Sequence, residues 1–290
     1  MMKFGVVLPS YGAHSGRLAT VDTTLAAEGM GFDSVWTTDH IALPKADAER
    51  FSPLLESITT LAYLAGLTSR IRLGVSSLVL PQRNPLEVAR QMATLDVLSG
   101  GRAMLACGVG WSRGEYEALG SDFSNRGRRM DESIRVLRSL WRGSRTVSFQ
   151  GEYYNFQDID FAPAPIQPGG PPLWVAGDSP AAARRAFRLA DGWHPNHTSP
   201  ENLASLLQPM RPFIAAGRPF TVCLRLSLSF GDSPDPATPL SGNPAQVAAQ
   251  IRAYRDAGMN YALIHFLAQS QAERERAMRT LMTRVAPEVD

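Results

Sequence analysis

Four short stretches of this 290-residue chain place polar or small residues where an apolar strand would otherwise continue. In Asp33-Ser34-Val35-Trp36-Thr37-Thr38-Asp39-His40 a strand ends in an acid and a histidine. A free imidazole titrates near neutrality, so a histidine held at a strand end can give or take a proton. In Leu73-Gly74-Val75-Ser76-Ser77-Leu78-Val79-Leu80 a glycine and two serines interrupt an apolar run. Such poor strand formers mark either an ordinary bulge or a place where backbone approaches a flat ligand.

The third stretch, Cys107-Gly108-Val109-Gly110-Trp111-Ser112-Arg113-Gly114, looks like a dinucleotide fingerprint with its last glycine displaced by one. It also lies too far along the chain for a first βα turn, which rejects a Rossmann reading. Its small residues either make a tight turn or leave room for a ring system. In the fourth, Leu173-Trp174-Val175-Ala176-Gly177-Asp178-Ser179-Pro180, a strand runs into a helix whose first position is proline. Unpaired N–H groups and the positive dipole end make such a start an anion site, although Asp or Ser also serves there as a plain cap. A carboxylate facing an anion would repel it, so Asp178 is expected to turn away, capping the helix or meeting Arg184 or Arg185. His194 and His197 follow, but without the accompanying acids or histidines of a metal site, and no metal is expected.

The elements that position these tips alternate along the chain. Strands are expected at Phe4–Leu8, Ser34–Thr37, Ile71–Leu80, Arg102–Val109, Leu173–Ala176, Asp191–His194, Thr221–Ser229 and Tyr261–Phe266. Helices are expected at Thr20–Glu28, from Ser52-Pro53 to about Gly66, and at Pro85–Leu98, Asn125–Trp141, Pro180–Leu189, Glu201–Ala216, Ala245–Ala257 and Gln271–Arg284. One excursion, roughly 112–171, holds a small hairpin and the extended, proline-rich Pro163–Pro172. Regular βα alternation argues a parallel sheet buried on both faces, and eight strands argue a closed (β/α)8 TIM barrel, a single domain over 1–290. The carboxyl ends of its strands are where chemistry sits.

Composition narrows the partners. Hydrophobic residues make up 44% of the chain, enough for a full core. With 29 basic and 27 acidic residues and no long basic run, there is no electrostatic case for nucleic acid. Cys107 and Cys223 lie in apolar runs and read as buried thiols of a reduced compartment. No stretch is apolar enough to span a membrane, and the first strand is too short for a signal peptide. A cytoplasmic homodimer acting on a small molecule is expected.

Together the tips resemble the luciferase-like monooxygenase superfamily, and within it the enzymes that use the deazaflavin coenzyme F420. The matching pieces are Gly31–Trp36 with Asp39-His40, Leu73–Ser76 with Asn84-Pro85, Gly100–Arg102 with Gly108–Gly110, Trp174–Gly177, and Ala190–Trp193. The resemblance implies a cofactor at the carboxyl ends of the strands, touching Asp39, Ser76, Ser77, Gly108, Gly110, Ala176, Gly177, Asp178 and Ser179. It implies a non-prolyl cis peptide at Ser76–Ser77 behind the ring, and the cofactor phosphate at Gly177-Asp178-Ser179. It implies that His40 is the catalytic residue; Trp111, His194 and Asn196 are the candidates for the substrate side.

The sequence departs from the deazaflavin-dependent sugar-phosphate dehydrogenases in one respect. They carry a tryptophan shortly after the histidine and an acid just past the fourth-strand glycines, and neither stands here in register. A different small organic substrate is therefore expected. The function expected is hydride transfer between F420 and that substrate. The alternative is an FMN-dependent monooxygenase using oxygen; a metal-dependent hydrolase and a non-catalytic cofactor carrier are the readings from other classes.

Overall fold

The computed structural model describes residues 2–289 apart from 143, 144, 197, 216 and 218. Eight parallel strands close on themselves: β1 (Lys3–Val7), β2 (Ser34–Thr37), β3 (Arg72–Val79), β4 (Ala103–Gly108), β7 (Leu173–Ala176), β8 (Gly192–His194), β9 (Thr221–Phe230) and β11 (Tyr261–Phe266). They pair in that order, and β11 returns to β1, so no barrel edge is left open. The short β10 (Leu240–Gly242) extends the sheet beside the far end of β9. The antiparallel hairpin β5 (Thr146–Gln150) and β6 (Asn155–Asp160) lies outside the barrel, as expected.

The helices are α1 (Arg17–Gly29), α2 (Lys45–Ala48), α3 (Ser57–Ala65), α4 (Pro85–Ser99), α5 (Arg113–Ala118), α6 (Arg126–Trp141), α7 (Pro180–Leu189), α8 (Pro200–Leu207), α9 (Arg211–Ala215), α10 (Pro244–Ala257) and α11 (Gln271–Thr280). α6 packs between α4 and α7, so it belongs to the helical ring and the excursion after β4 is shorter than expected.

Three expected helices differ. Ser52-Pro53 does not open α3: its peptide bond is cis, and the helix starts later, capped by the Glu56 carboxylate on the Thr59 N–H. Pro209 and Pro212 cannot donate to preceding carbonyls, and the helix expected over 201–216 is split into α8, a 3₁₀ turn and α9. Its expected end at Ala216 lies outside the described residues. The last helix widens into a π turn at Leu281–Val285 before the chain ends.

Two apolar layers result. The outer one lies between strands and helices; the inner one fills the barrel with Val7, Trp36, Met104, Trp174, Tyr261 and Leu263. Trp36 and Trp174 stack with centroids 5.0 Å apart, and Tyr261 meets Trp174 edge-on at 5.3 Å. This plug is the floor under the strand tips. It explains Gly74: a side chain there would drive into the Trp36 ring, so the strand needs a glycine for space. We expect Gly74→Ala to destabilise the protein by about 1–3 kcal/mol through overpacking. Urea unfolding checks this, and a variant as stable as the parent would place Trp36 elsewhere.

Candidate active site

A cavity of about 700 Å³ opens at the carboxyl ends of the strands, within the range of sites that bury a drug-sized ligand. Asp39, His40, Ser76, Ser77, Gly108, Gly110, Trp111, Ala176, Gly177, Asp178, His194 and Asn196 all line it. Of the residues expected there, Ser179 alone does not: its hydroxyl caps α7 by accepting from the Ala182 N–H at 3.2 Å. A larger cavity, about 1050 Å³, opens at the opposite mouth among Lys3, Arg72, Arg138 and Arg188. Its acid, Asp191, is tied to Arg138 at 2.6 Å.

His40 is 8% exposed and sits one residue past a buried clamp. Its Nδ1 lies 2.9 Å from Glu115 Oε2. Glu115 Oε1 accepts from the N–H groups of Ile41 at 2.7 Å and Ala42 at 3.1 Å, so the same carboxylate fixes the loop that follows the histidine. A carboxylate only accepts, so Nδ1 carries the hydrogen and Nε2 presents its lone pair when the ring is neutral. Burial pushes the Glu115 carboxyl up, but the bonds from His40, Ile41 and Ala42 outweigh it, and the acid stays below the usual carboxylate range. Phe51 and Trp111 meet the imidazole edge-on at 4.6 and 5.7 Å, making an aromatic wall beside it.

Glu115 was not among the residues expected at the site, and it reaches His40 from beyond the fourth strand. It lies in the short α5, whose cap Ser112 accepts from the Glu115 N–H at 3.2 Å. Trp111, from the tip of β4, also stands beside the histidine. One cue in the sequence is Ser112-Arg113-Gly114-Glu115, a serine followed three residues later by an acid, which signals a helix start.

Both carboxylate oxygens of Asp39 are engaged by the protein. Its Oδ1 accepts from Ser57 Oγ at 2.9 Å and Arg83 Nη2 at 2.6 Å, and its Oδ2 from the Val79 N–H at 3.0 Å. Ser76 and Ser77 form the bulge in β3, where the register against β4 shifts, and their peptide bond is cis. The Ser76 carbonyl accepts from Arg225 Nη1 at 3.0 Å. Ser76 Oγ lies 2.7 Å from His194 Nε2, while His194 Nδ1 lies 2.8 Å from the Cys223 carbonyl. A carbonyl cannot donate, so His194 is protonated on Nδ1 and the Ser76 hydroxyl donates to it. Burial pushes the His194 pKa down to about 4, so it is neutral at physiological pH. His194 thus props the bulge while also lining the cavity.

Glycines keep the cavity open. A side chain at Gly108 would meet Ser77 Oγ, and Gly110, at φ 71°, approaches Val79 and Tyr116. Gly177 has φ 130°, a conformation that favours glycine, and a Cβ there would come within 3.0 Å of Ala182. Asp178 turns away from the helix start as expected, but toward a different partner. Its Oδ1 accepts from the Asn196 N–H at 2.6 Å and Thr198 Oγ1 at 3.4 Å, because Arg185 is taken by Asp131. The second histidine of the pair considered for metal, His197, lies outside the described residues. Among the described residues no group of three or more His, Cys, Asp or Glu could hold a metal ion.

The model of the luciferase-like monooxygenase family matches residues 2–240. The chain belongs to that family. An F420-dependent glucose-6-phosphate dehydrogenase of Kineococcus radiotolerans is 31% identical over 308 residues, covering 89% of each chain. Among solved structures, an F420-dependent secondary alcohol dehydrogenase with an F420–acetone adduct superposes with a TM-score of 0.81. It is 18% identical, and the match covers 100% of this chain and 99% of that one. The FMN-bound oxygenating constituent of a type II Baeyer–Villiger monooxygenase from Pseudomonas putida also gives 0.81, at 16% identity and the same coverage. These two likenesses establish the barrel.

The depressed Glu115 carboxyl makes its stabilisation pH-dependent. Its contribution is complete above the ordinary value of 4.5 and is lost as pH falls through the lowered folded value. Glu115→Gln should cost about 1–3 kcal/mol at pH 7, the scale for bonds to a buried charge. The gap to the parent should shrink on acidification below pH 4, as followed by denaturant unfolding. An equal gap at both pH values would contradict a charged Glu115.

Proposed function

We propose that this protein transfers a hydride between F420 and a small organic substrate, with His40 moving the accompanying proton. The observation that carries this reading is the His40–Glu115 pair facing a cavity backed by the Ser76–Ser77 bulge. The relationship to an F420-dependent dehydrogenase supports it.

The residues present suit a deazaflavin. The bulge, Gly108 and Gly110 make a wall of small residues against which a flat ring can lie; a Cβ at Gly108 would crowd Ser77 Oγ, and one at Gly110 would meet Val79 and Tyr116. The start of α7 offers its positive dipole end to a phosphate, just past Gly177, whose own N–H donates to the His194 carbonyl at 3.2 Å. F420 supplies two-electron hydride chemistry when bound. The chain's own residues do the rest. Arg225 holds the Ser76 carbonyl and so fixes the wall. Glu115 fixes the imidazole so that Nε2 is the atom that takes a proton from an alcohol or, once protonated, returns it to a carbonyl. Phe51 and Trp111 shield that nitrogen from water on one side.

His40→Ala should leave F420 affinity within about twofold while lowering turnover by about two to four orders of magnitude. Gly177→Val should abolish cofactor binding by crowding the α7 start. Titration of ring fluorescence with F420, and in parallel with FMN, reads both. FMN bound far more tightly than F420, or near-parental turnover in His40→Ala on an accepted alcohol, would overturn the proposal.

A further inference from the structure

A third cavity, about 220 Å³, lies where β1 and β11 end, beside the larger, 700 Å³ cavity that holds His40. Tyr11 is the wall between them. Its ring contacts His265 of the small cavity at 6.0 Å and Phe51 of the large one at 5.6 Å, and Phe51 contacts His40. The small cavity is lined on one side by Arg274, which is 6% exposed.

Arg274 is buried and makes no ion pair among the described residues, the charge of Glu273 acting on it only from beyond ion-pair distance. Its Nη1 donates to Gln271 Oε1 at 2.9 Å, and its Nε and Nη2 have no partner among the described residues. No carboxylate lies within ion-pair distance of it among those residues. The nearby acid, Glu273, takes the Gln269 N–H instead. Arg102 shows what a structural buried arginine looks like here: five hydrogen bonds to carbonyls and a hydroxyl use its donors in full. The open donors of Arg274 are not among the fully buried atoms left without a partner, so they reach the cavity and are free to meet an anion there.

The surroundings point the same way. His265 lines the cavity, and no hydrogen bond to its ring is found among the described residues. Burial first, and then Arg225, Arg50 and Arg274, push its pKa down to about 3. Three guanidinium groups therefore make the field at this ring positive, and no acid offsets them. Arg225 itself is held by Thr38, Ser76 and Tyr11, all neutral, and has no ion-pair partner among the described residues.

We propose that this cavity is a subsite for the anionic group of the substrate, a carboxylate or a phosphate, held by Arg274 beside His265. The assignment to substrate rests on the larger cavity being the redox site. The anion would supply the direct ion pair that Arg274 does not make within the protein, and Tyr11 would stand between it and Phe51 beside His40. The substrate class is thus a small alcohol or carbonyl compound with a terminal anion, too large to fit in the small cavity alone.

Calorimetric titration with inorganic phosphate and, separately, with propionate tests the site on the cofactor-free protein. At least one should bind with one-to-one stoichiometry, at about millimolar Kd or tighter. Arg274→Met should weaken that binding about tenfold or more, and Arg274→Lys much less. If the methionine variant does not fold, Arg274→Gln gives the same comparison. The stronger of the two probes identifies the anion. No binding of either, or equal affinity in the charge-removing variant, overturns the site. F420 titration of that variant separates the two readings. Unchanged F420 affinity leaves the anion with the substrate, and a matching loss gives Arg274 to the cofactor and overturns the proposal. Failure of the parent protein to bind F420 would count against the redox reading without touching the anion measurement.

Discussion

Asp39 is 3% exposed, and its carboxylate joins the end of β2 to the start of α3 and to the end of β3 with the turn that follows it. It takes the hydroxyl of Ser57 from α3, the N–H of Val79 at the end of β3, and the guanidinium of Arg83 beyond it. A carboxylate so placed is stable only with those donors, and each donor is fixed by it in turn. The next residue is His40. Its backbone is therefore anchored at the point where its side chain must be aimed, before Glu115 sets the ring from the other side. Two adjacent polar residues at one strand end divide the work, Asp39 holding structure and His40 facing the cavity.

The same layering recurs under the β3 bulge. Trp36 and Trp174 fill the barrel, and His194 stacks on Trp36 at 6.1 Å. His194 takes the Ser76 hydroxyl, and Arg225 takes the Ser76 carbonyl. An apolar floor, a neutral histidine and a cation thus support one short piece of backbone. Such support from below is what lets a site hold its geometry before a ligand arrives.

Much of this was legible in the sequence because it is local. Each barrel strand is a short apolar run with punctuation, and the tips stand out because Asp-His, Ser-Ser and Gly-Asp-Ser break those runs. What was not legible depends on pairing across the fold. Glu115 meets His40 from 75 residues away, and only the cap at Ser112 hints that an acid sits in a helix there. Asp178 could be expected to avoid an anion, but its actual partner comes from the loop after β8 because Asp131 competes for Arg185. His194 looked like a ligand contact because it ends a strand. Its role as a prop follows from the Cys223 carbonyl, which only the closed barrel brings near. Arg274 carried no signal, since a charged residue in a polar C-terminal helix looks like a solvated face.

Everything proposed for the chemistry depends on Glu115 fixing His40 with its proton on Nδ1 and its Nε2 toward the cavity. Nitrogen-15 NMR of protein labelled at histidine, with His40→Gln used to assign the signal, reads this tautomer directly. At a pH where the ring is neutral, His40 should appear as the Nδ1–H form, and Glu115→Gln should allow the other form to populate. His194, held on Nδ1 by the Cys223 carbonyl and neutral down to about pH 4, provides the reference pattern within the same molecule. A neutral His40 protonated on Nε2, or one that samples both tautomers equally with Glu115 intact, would contradict the arrangement on which the proton transfer rests.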